Sequence, residues 1–206
     1  MKNIPNFVIG FVCVVLVIIA VSGYIFVFQK KSGINTNTFL DSVSCESFIN
    51  LREAIKTPTR VCTLDIQKQK LTGALPGEIR FMVNLTTLNV SNNLMTGIPA
   101  EIGQLKRVKK IDYSANQLDT MPNEIASLTK LQFLSLANNK YRELPESVTQ
   151  IVSLVILDLS YNSITSLPVS IGNLKNLEEL RLVGNPLPSK EIEKVQQLLP
   201  HVRIIK

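Results

Sequence analysis

LVILDLSYNSITSLPVSIGNL, residues 154–174, carries two hydrophobic spacings in one short stretch. Leu157 and Leu159 lie two apart, as on one face of a strand, whereas Ile171 and Leu174 lie three apart, as on one face of a helical turn. Asn162 and Pro168 separate them. The stretch is therefore a small strand–turn–helix unit.

The unit is copied along the chain. Stepping back 23 residues at a time gives LQFLSLANNKYRELPESVTQI from Leu131, VKKIDYSANQLDTMPNEIASL from Val108 and LTTLNVSNNLMTGIPAEIGQL from Leu85. A further copy, LEELRLVGNPL, starts at Leu177, and a first one starts at Val61 after a step of 24. Self-similarity of this period means stacked units sharing one continuous core. Apolar residues recur at the fourth and sixth positions of every unit: Leu64/Ile66, Leu88/Val90, Ile111/Tyr113, Leu134/Leu136, Leu157/Leu159 and Leu180/Leu182. Asn93, Asn116, Asn139, Asn162 and Asn185 follow at the ninth, where a sharp inward turn leaves backbone groups in need of partners. An amide carries both donors and an acceptor, so these residues form the expected asparagine ladder. Gln69 stands in this place in the first unit and suggests a looser, edge-like repeat. Pro76, Pro99, Pro122, Pro145 and Pro168 open the return segments at the expected first helical position, with Glu78, Glu101 and Glu124 two residues on.

This LxxLxLxxN pattern with LPxxIxxL returns resembles the leucine-rich-repeat family across about residues 61–206; Leu71–Ile79, LTGALPGEI, resembles the longer variant common in plant members. The implied fold is an α/β solenoid. A parallel β-strip lines its concave face, and short helices or 3-10 turns line the convex one. The expected organisation is a signal-anchor segment at 1–31, a flexible linker at 32–38, a helical cap at 39–60, six repeats at 61–187, and a carboxyl-terminal cap helix and strand at 188–206.

Residues 7–28, FVIGFVCVVLVIIAVSGYIFVF, hold no charge over 22 positions, long enough for one transmembrane helix. Ala20-Val21-Ser22 offers a small-x-small cleavage site, but the apolar run continues to Phe28, which favours an uncleaved anchor. Lys2 against Lys30 and Lys31 slightly favours a cytoplasmic repeat domain, while a signal-like segment ahead of a domain favours export. The reading adopted is a single-pass membrane protein with its repeats outside the cytoplasm. In the cap, Asp41 and Ser42 are expected helix caps, Cys45, Phe48, Leu51 and Ile55 share a helical face, and Pro58 ends the helix. For Cys45 and Cys62 two states stay open, a disulfide pinning the cap or two buried thiols. Ser189 is the expected N-cap of the last helix.

The chain has 22 basic and 16 acidic residues, net +6, divided as +3 in residues 1–60 (six against three) and +3 in 61–206 (sixteen against thirteen). Charge so spread does not suit nucleic acid. His201 is the single histidine, no CxxC or phosphate-binding glycine loop occurs, and no paired carboxylates suggest acid–base work, so neither catalysis nor a metal or cofactor is expected. Function then rests on the outward strand positions. Solvated polar groups are the rule there, with Asp112 and Asp158 in the fifth-position row. Phe133, Val155, Ile156 and Tyr161 break it, apolar where water should be met, and mark a candidate surface for a protein partner on the concave face. Asn84-Leu-Thr86 and Asn89-Val-Ser91 match glycosylation acceptors, meaningful only in a eukaryotic secretory protein.

Overall fold

The computed structural model describes residues 44–206 throughout, and the backbone of 16–21 and 24–29. The chain divides into two units, Met1–Ser42 and Val43–Lys206.

In the first unit, β1 (Leu16–Val21) pairs antiparallel with β2 (Tyr24–Gln29), in a register that places Val21 opposite Tyr24. One helix over 7–28 is thus not what these residues form. Val, Ile, Tyr and Phe dominate both strands, residues whose branched or aromatic side chains suit a pleated surface. The rest of the expected helix, 7–15 with Ser22 and Gly23, and the linker at 32–38 lie outside the described residues. Among the described residues no helix is long and apolar enough to cross a membrane.

The second unit is built on one parallel sheet. Its strands are β3 (Glu46–Phe48), β4 (Val61–Asp65), β6 (Thr87–Asn89), β8 (Lys110–Asp112), β9 (Phe133–Ser135), β10 (Ile156–Asp158), β11 (Glu179–Arg181) and β12 (Arg203–Ile205), each beside the next. The register aligns like positions: Leu64, Leu88, Ile111, Leu134, Leu157, Leu180 and Ile204 form one inward row. From β4 to β11 that row is fully buried and joins one core with Leu85, Val108, Leu131, Leu154 and Leu177. A two-stranded patch, β5 (Thr72–Gly73) with β7 (Leu94–Met95), stands beside the sheet at the LTGALPGEI unit, where Gly73 takes φ +70.

Each return segment is a five-residue 3-10 turn: Gly77–Phe81, Ala100–Gln104, Asn123–Ser127, Glu146–Gln150 and Val169–Asn173. The prolines sit one residue earlier than expected, as the extended flanking residue. Each proline's carbonyl accepts the N–H of the third residue of its turn, Ile79, Ile102, Ile125, Val148 or Ile171, at 3.0–3.3 Å. Proline's fixed φ fits that extended entry, and its missing N–H costs nothing there.

The asparagines form the ladder. The Asn116 Nδ2 donates to its own turn at Tyr113 O (3.0 Å) and to Val90 O one repeat back (3.0 Å), while Oδ1 accepts from Met95 N (2.9 Å). Asn93, Asn139, Asn162 and Asn185 repeat the arrangement. Gln69 is not a loose end. Its longer side chain reaches Ile49 O in the cap at 2.6 Å.

The cap differs from the expected helix over 39–60. Residues 39–43 lie outside the described region, Glu46–Phe48 is the edge strand β3, and α1 runs only Leu51–Lys56. A strand here pairs the otherwise open edge of β4, which a helix would leave unsatisfied. Asn50 supplies the cap, accepting from Arg52 N at 2.9 Å and Glu53 N at 3.3 Å. Cys45 and Cys62 are joined as a disulfide with Cα atoms 5.3 Å apart, and Cys45 is exposed rather than inward. At the other end α2 (Ser189–Leu198) covers the core with Val195, and its N-cap is Pro188, not Ser189. Ser189 is already helical there, so its hydroxyl makes no cap bond.

Candidate functional site

The outward side chains of the sheet lie in two rows. One holds Thr63, Thr87, Lys110, Phe133, Ile156, Glu179 and Arg203; the other holds Asp65, Asn89, Asp112, Ser135, Asp158, Arg181 and Ile205. Alternation along each strand puts both on the solvent side.

The six candidate residues fall in three places. Phe133 and Ile156 are direct register partners and both are half-buried. Asp112 and Asp158 lie in the neighbouring row with buried Ser135 between them. Each closes its own turn: Asp112 accepts from Ser114 N at 2.9 Å, and Asp158 from Ser160 N at 3.0 Å. Asn89 does the same with Ser91 N at 3.1 Å, so much of this row's polarity serves the turn. Val155 precedes β10, half-buried, and its carbonyl accepts from Glu178 N and Glu179 N at 2.8 and 3.1 Å.

Tyr161 stands on the turn beyond the strand, 61% exposed, with φ 55. Every repeat takes positive φ at this position, through Lys68, Asn92, Ala115, Asn138 and Gly184, so the scaffold imposes it. The Tyr161 ring packs against Gly184, where an added Cβ would come within 2.6 Å of its Cδ1.

Sequence reasoning missed the charges around the apolar pair. Lys110 Nζ sits 4.8 Å from the centroid of the Phe133 ring, a cation–π contact. On the other side Glu179, 5% exposed, receives both Arg181 and Arg203, and Arg181 reaches Asp158 Oδ2 at 3.4 Å. The run LKRVKK, 105–110, was the available signal for the basic side. The apolar step thus has on one flank cations with no acidic partner among the described residues, and an internally neutralised network on the other.

Other places offer less chemistry. A polar hollow of ≈ 720 Å³ is lined by Asp119, Thr120, Asn139, Lys140, Arg142, Glu143 and Ser163, but Asn139 is committed to the ladder and the rest are exposed. Burial pushes the phenols of Tyr113 and Tyr141 well above the ordinary tyrosine range, with the neighbouring Tyr141 adding to it for Tyr113 and Asp119 for Tyr141. Among the described residues no three His, Cys, Asp or Glu side chains gather as metal ligands. Asn84, a glycosylation acceptor by sequence, is held by Thr59 O at 2.7 Å and Arg107 at 2.8 Å.

Residues 109–203 match the family model described as Leucine-rich repeat region, and residues 84–105 match that of a single Leucine Rich Repeat. No curated protein matches the sequence significantly. Among solved structures the chain is similar to a leucine-rich-repeat protein of Leptospira interrogans, at 26% identity, covering 78% of this chain and 58% of that one with a TM-score of 0.57. It is also similar to the plant peptide hormone receptor RGFR1 in complex with RGF2, at 27% identity over 76% of this chain and 30% of that one, TM-score 0.60. An internalin, inlF, from Listeria monocytogenes shares the fold at 20% identity, over 78% of this chain and 45% of that one, TM-score 0.63. The chain spans 58%, 45% and 30% of these three, so at most a little over half of any of them. Together the findings support a leucine-rich-repeat protein.

Proposed function

We propose that this leucine-rich-repeat chain is a membrane-tethered recognition module that holds a protein partner on the open face of its sheet. The observation that carries this is the Phe133–Ile156 step, two large apolar side chains in register. The other places in that row hold Thr63, Thr87, Lys110, Glu179 and Arg203. A half-buried apolar pair ringed by polar groups is the usual anatomy of a binding hot spot. RGFR1, one of the similar structures, is a peptide hormone receptor in complex with RGF2, which supports a binding role for the fold.

The substitutions Phe133→Glu and Ile156→Lys place charge on that step without touching the inward row. Each is expected to weaken capture of the native partner at least ~10-fold, as loss of a hot-spot residue does, while the urea midpoint stays near that of the native chain. Proximity labelling from the repeat domain, quantified for native and substituted chains, reads this. Equal labelling by both would remove the step from the interface.

The tether rests on the uncharged run 7–28. A two-stranded hairpin leaves outer backbone groups unpaired, which hydrocarbon cannot satisfy, so in a bilayer the same residues are expected to be helical. Placement outside the cytoplasm is supported by Cys45–Cys62, since such bonds persist in oxidising compartments. In intact cells the protein should resist carbonate extraction, and both cysteines should stay unlabelled by a thiol reagent until reduced. Recovery in the medium cut near Ser22 would make it a secreted binder instead, and free thiols would point to a cytoplasm-facing scaffold.

A further inference from the structure

Five cations crowd one margin of the sheet face: Lys106, Arg107, Lys109, Lys110 and Lys130, all exposed. None forms an ion pair with an acidic side chain among the described residues, although Asp112 lies two residues beyond Lys110 on the same strand. Their interactions are with neutral groups. Arg107 reaches back one repeat to Asn84 Oδ1 at 2.8 Å, Lys106 reaches forward to Ser127 O at 3.1 Å, and Lys110 lies over Phe133. Positive charge without an acidic partner among the described residues therefore spans repeats two and three, directly beside the apolar step. Acidic side chains elsewhere on this face are differently placed: Glu179 is satisfied by Arg181 and Arg203, and Asp158 faces Arg181.

We infer that this margin, Arg107, Lys109 and Lys110 beside Phe133 and Ile156, receives an acidic segment of a partner protein in which carboxylates adjoin a large apolar side chain. This deepens the binding role proposed above and rests on it. Charge complementarity gives the sign of the segment. The apolar step, within one to two strand spacings of the cations, gives the side chain it must carry. A continuous phosphate chain fits less well. It would run along Asp65, Asp112 and Asp158 in the adjoining row, and it has nothing to set on Ile156.

The test pans a random-peptide display library on the full-length chain in detergent micelles. Enriched peptides are then titrated against the native chain, Lys109→Glu/Lys110→Glu and Ile156→Lys. Selected peptides should be rich in Asp and Glu beside Leu, Ile, Phe or Tyr. Their affinity should fall ~10-fold or more on charge reversal, and likewise between about 50 and about 300 mM salt. Neutral or basic peptides that lose affinity only with Ile156→Lys would overturn this inference and leave the binding role standing. No enriched peptide at all would count against both. A single-stranded oligonucleotide or phosphatidylglycerol vesicles, run alongside, would overturn it by binding through Lys109 and Lys110 when acidic peptides do not. Unchanged circular dichroism confirms that the substituted chains remain folded.

Discussion

Asn162→Ala is expected to lower stability by about 3–5 kcal/mol, because it strips partners from several buried backbone groups at once. The Asn162 side chain is 7% exposed. Its Nδ2 donates to Leu136 O at 3.0 Å, Leu159 O at 2.9 Å and Ser160 O at 3.3 Å, and its Oδ1 accepts from Tyr141 N at 3.1 Å. Alanine satisfies none of these, and each orphaned buried group costs roughly 1–3 kcal/mol. Asn162→Asp should be no milder: it keeps an acceptor for Tyr141 but sets a carboxylate against three carbonyls. Asn185 makes the corresponding bonds to Leu159 O, Leu182 O and Ile164 N, yet it is only half-buried, and water can replace part of what is lost. Asn185→Ala should therefore cost about half as much. Urea unfolding of the three variants measures this. A midpoint for Asn162→Ala near native, or a larger loss for Asn185→Ala, would contradict the ladder as the main support of the turns.

The ladder was legible because one chemistry recurs every 23 residues, so each copy corroborates the others. The same holds for the inward leucines and the parallel strip. Features that occur once had no such support. The edge strand β3 is three residues long, and Cys45 with Phe48 reads equally as a helical face; only the open edge of β4 decides for a strand. The pairing of Cys45 with Cys62 was one of two open states for the same reason. Gln69 looked like a defect in its own repeat, and its role appears only once Ile49 O is seen in reach.

The candidate site divides along similar lines. Phe133 and Ile156 stood out as departures from a polar pattern, and the register sets them side by side. Asp112 and Asp158 look like site residues in the sequence, but each is engaged with its own turn. The basic margin was hidden by averaging. Sixteen cations against thirteen anions over 61–206 conceals a local run, and only the stacking of strands brings Lys110 over Phe133 from a different repeat. Contacts between repeats depend on register, which a single unit's pattern does not contain.

Gly103→Ala is the sharpest test of how closely the return turns pack, and it is expected to destabilise by about 2–3 kcal/mol. Gly103 lies buried in Ala100–Gln104, against the turn Asn123–Ser127 of the next repeat. A Cβ there would stand 2.4 Å from Glu124 O and 2.8 Å from Glu124 Cβ. A flexible side chain could swing aside, but a backbone oxygen moves only with its turn. That turn also carries Ile125, 1% exposed, into the core, so any retreat opens a gap there. Backbone strain is not the cause, because among the described residues the glycines with positive φ are Gly73 and Gly184. Gly172 provides the control, at the same place in the turn three repeats further on, Val169–Asn173. Its added Cβ would meet Leu198 Cβ at 3.5 Å, an ordinary contact. Gly172→Ala should then stay within ~0.5 kcal/mol of native or gain slightly, since alanine restricts the unfolded chain. Urea midpoints for the two variants separate packing from glycine's general freedom. If both alanines cost the same, the close approach of Gly103 to Glu124 does not govern the stacking of these turns.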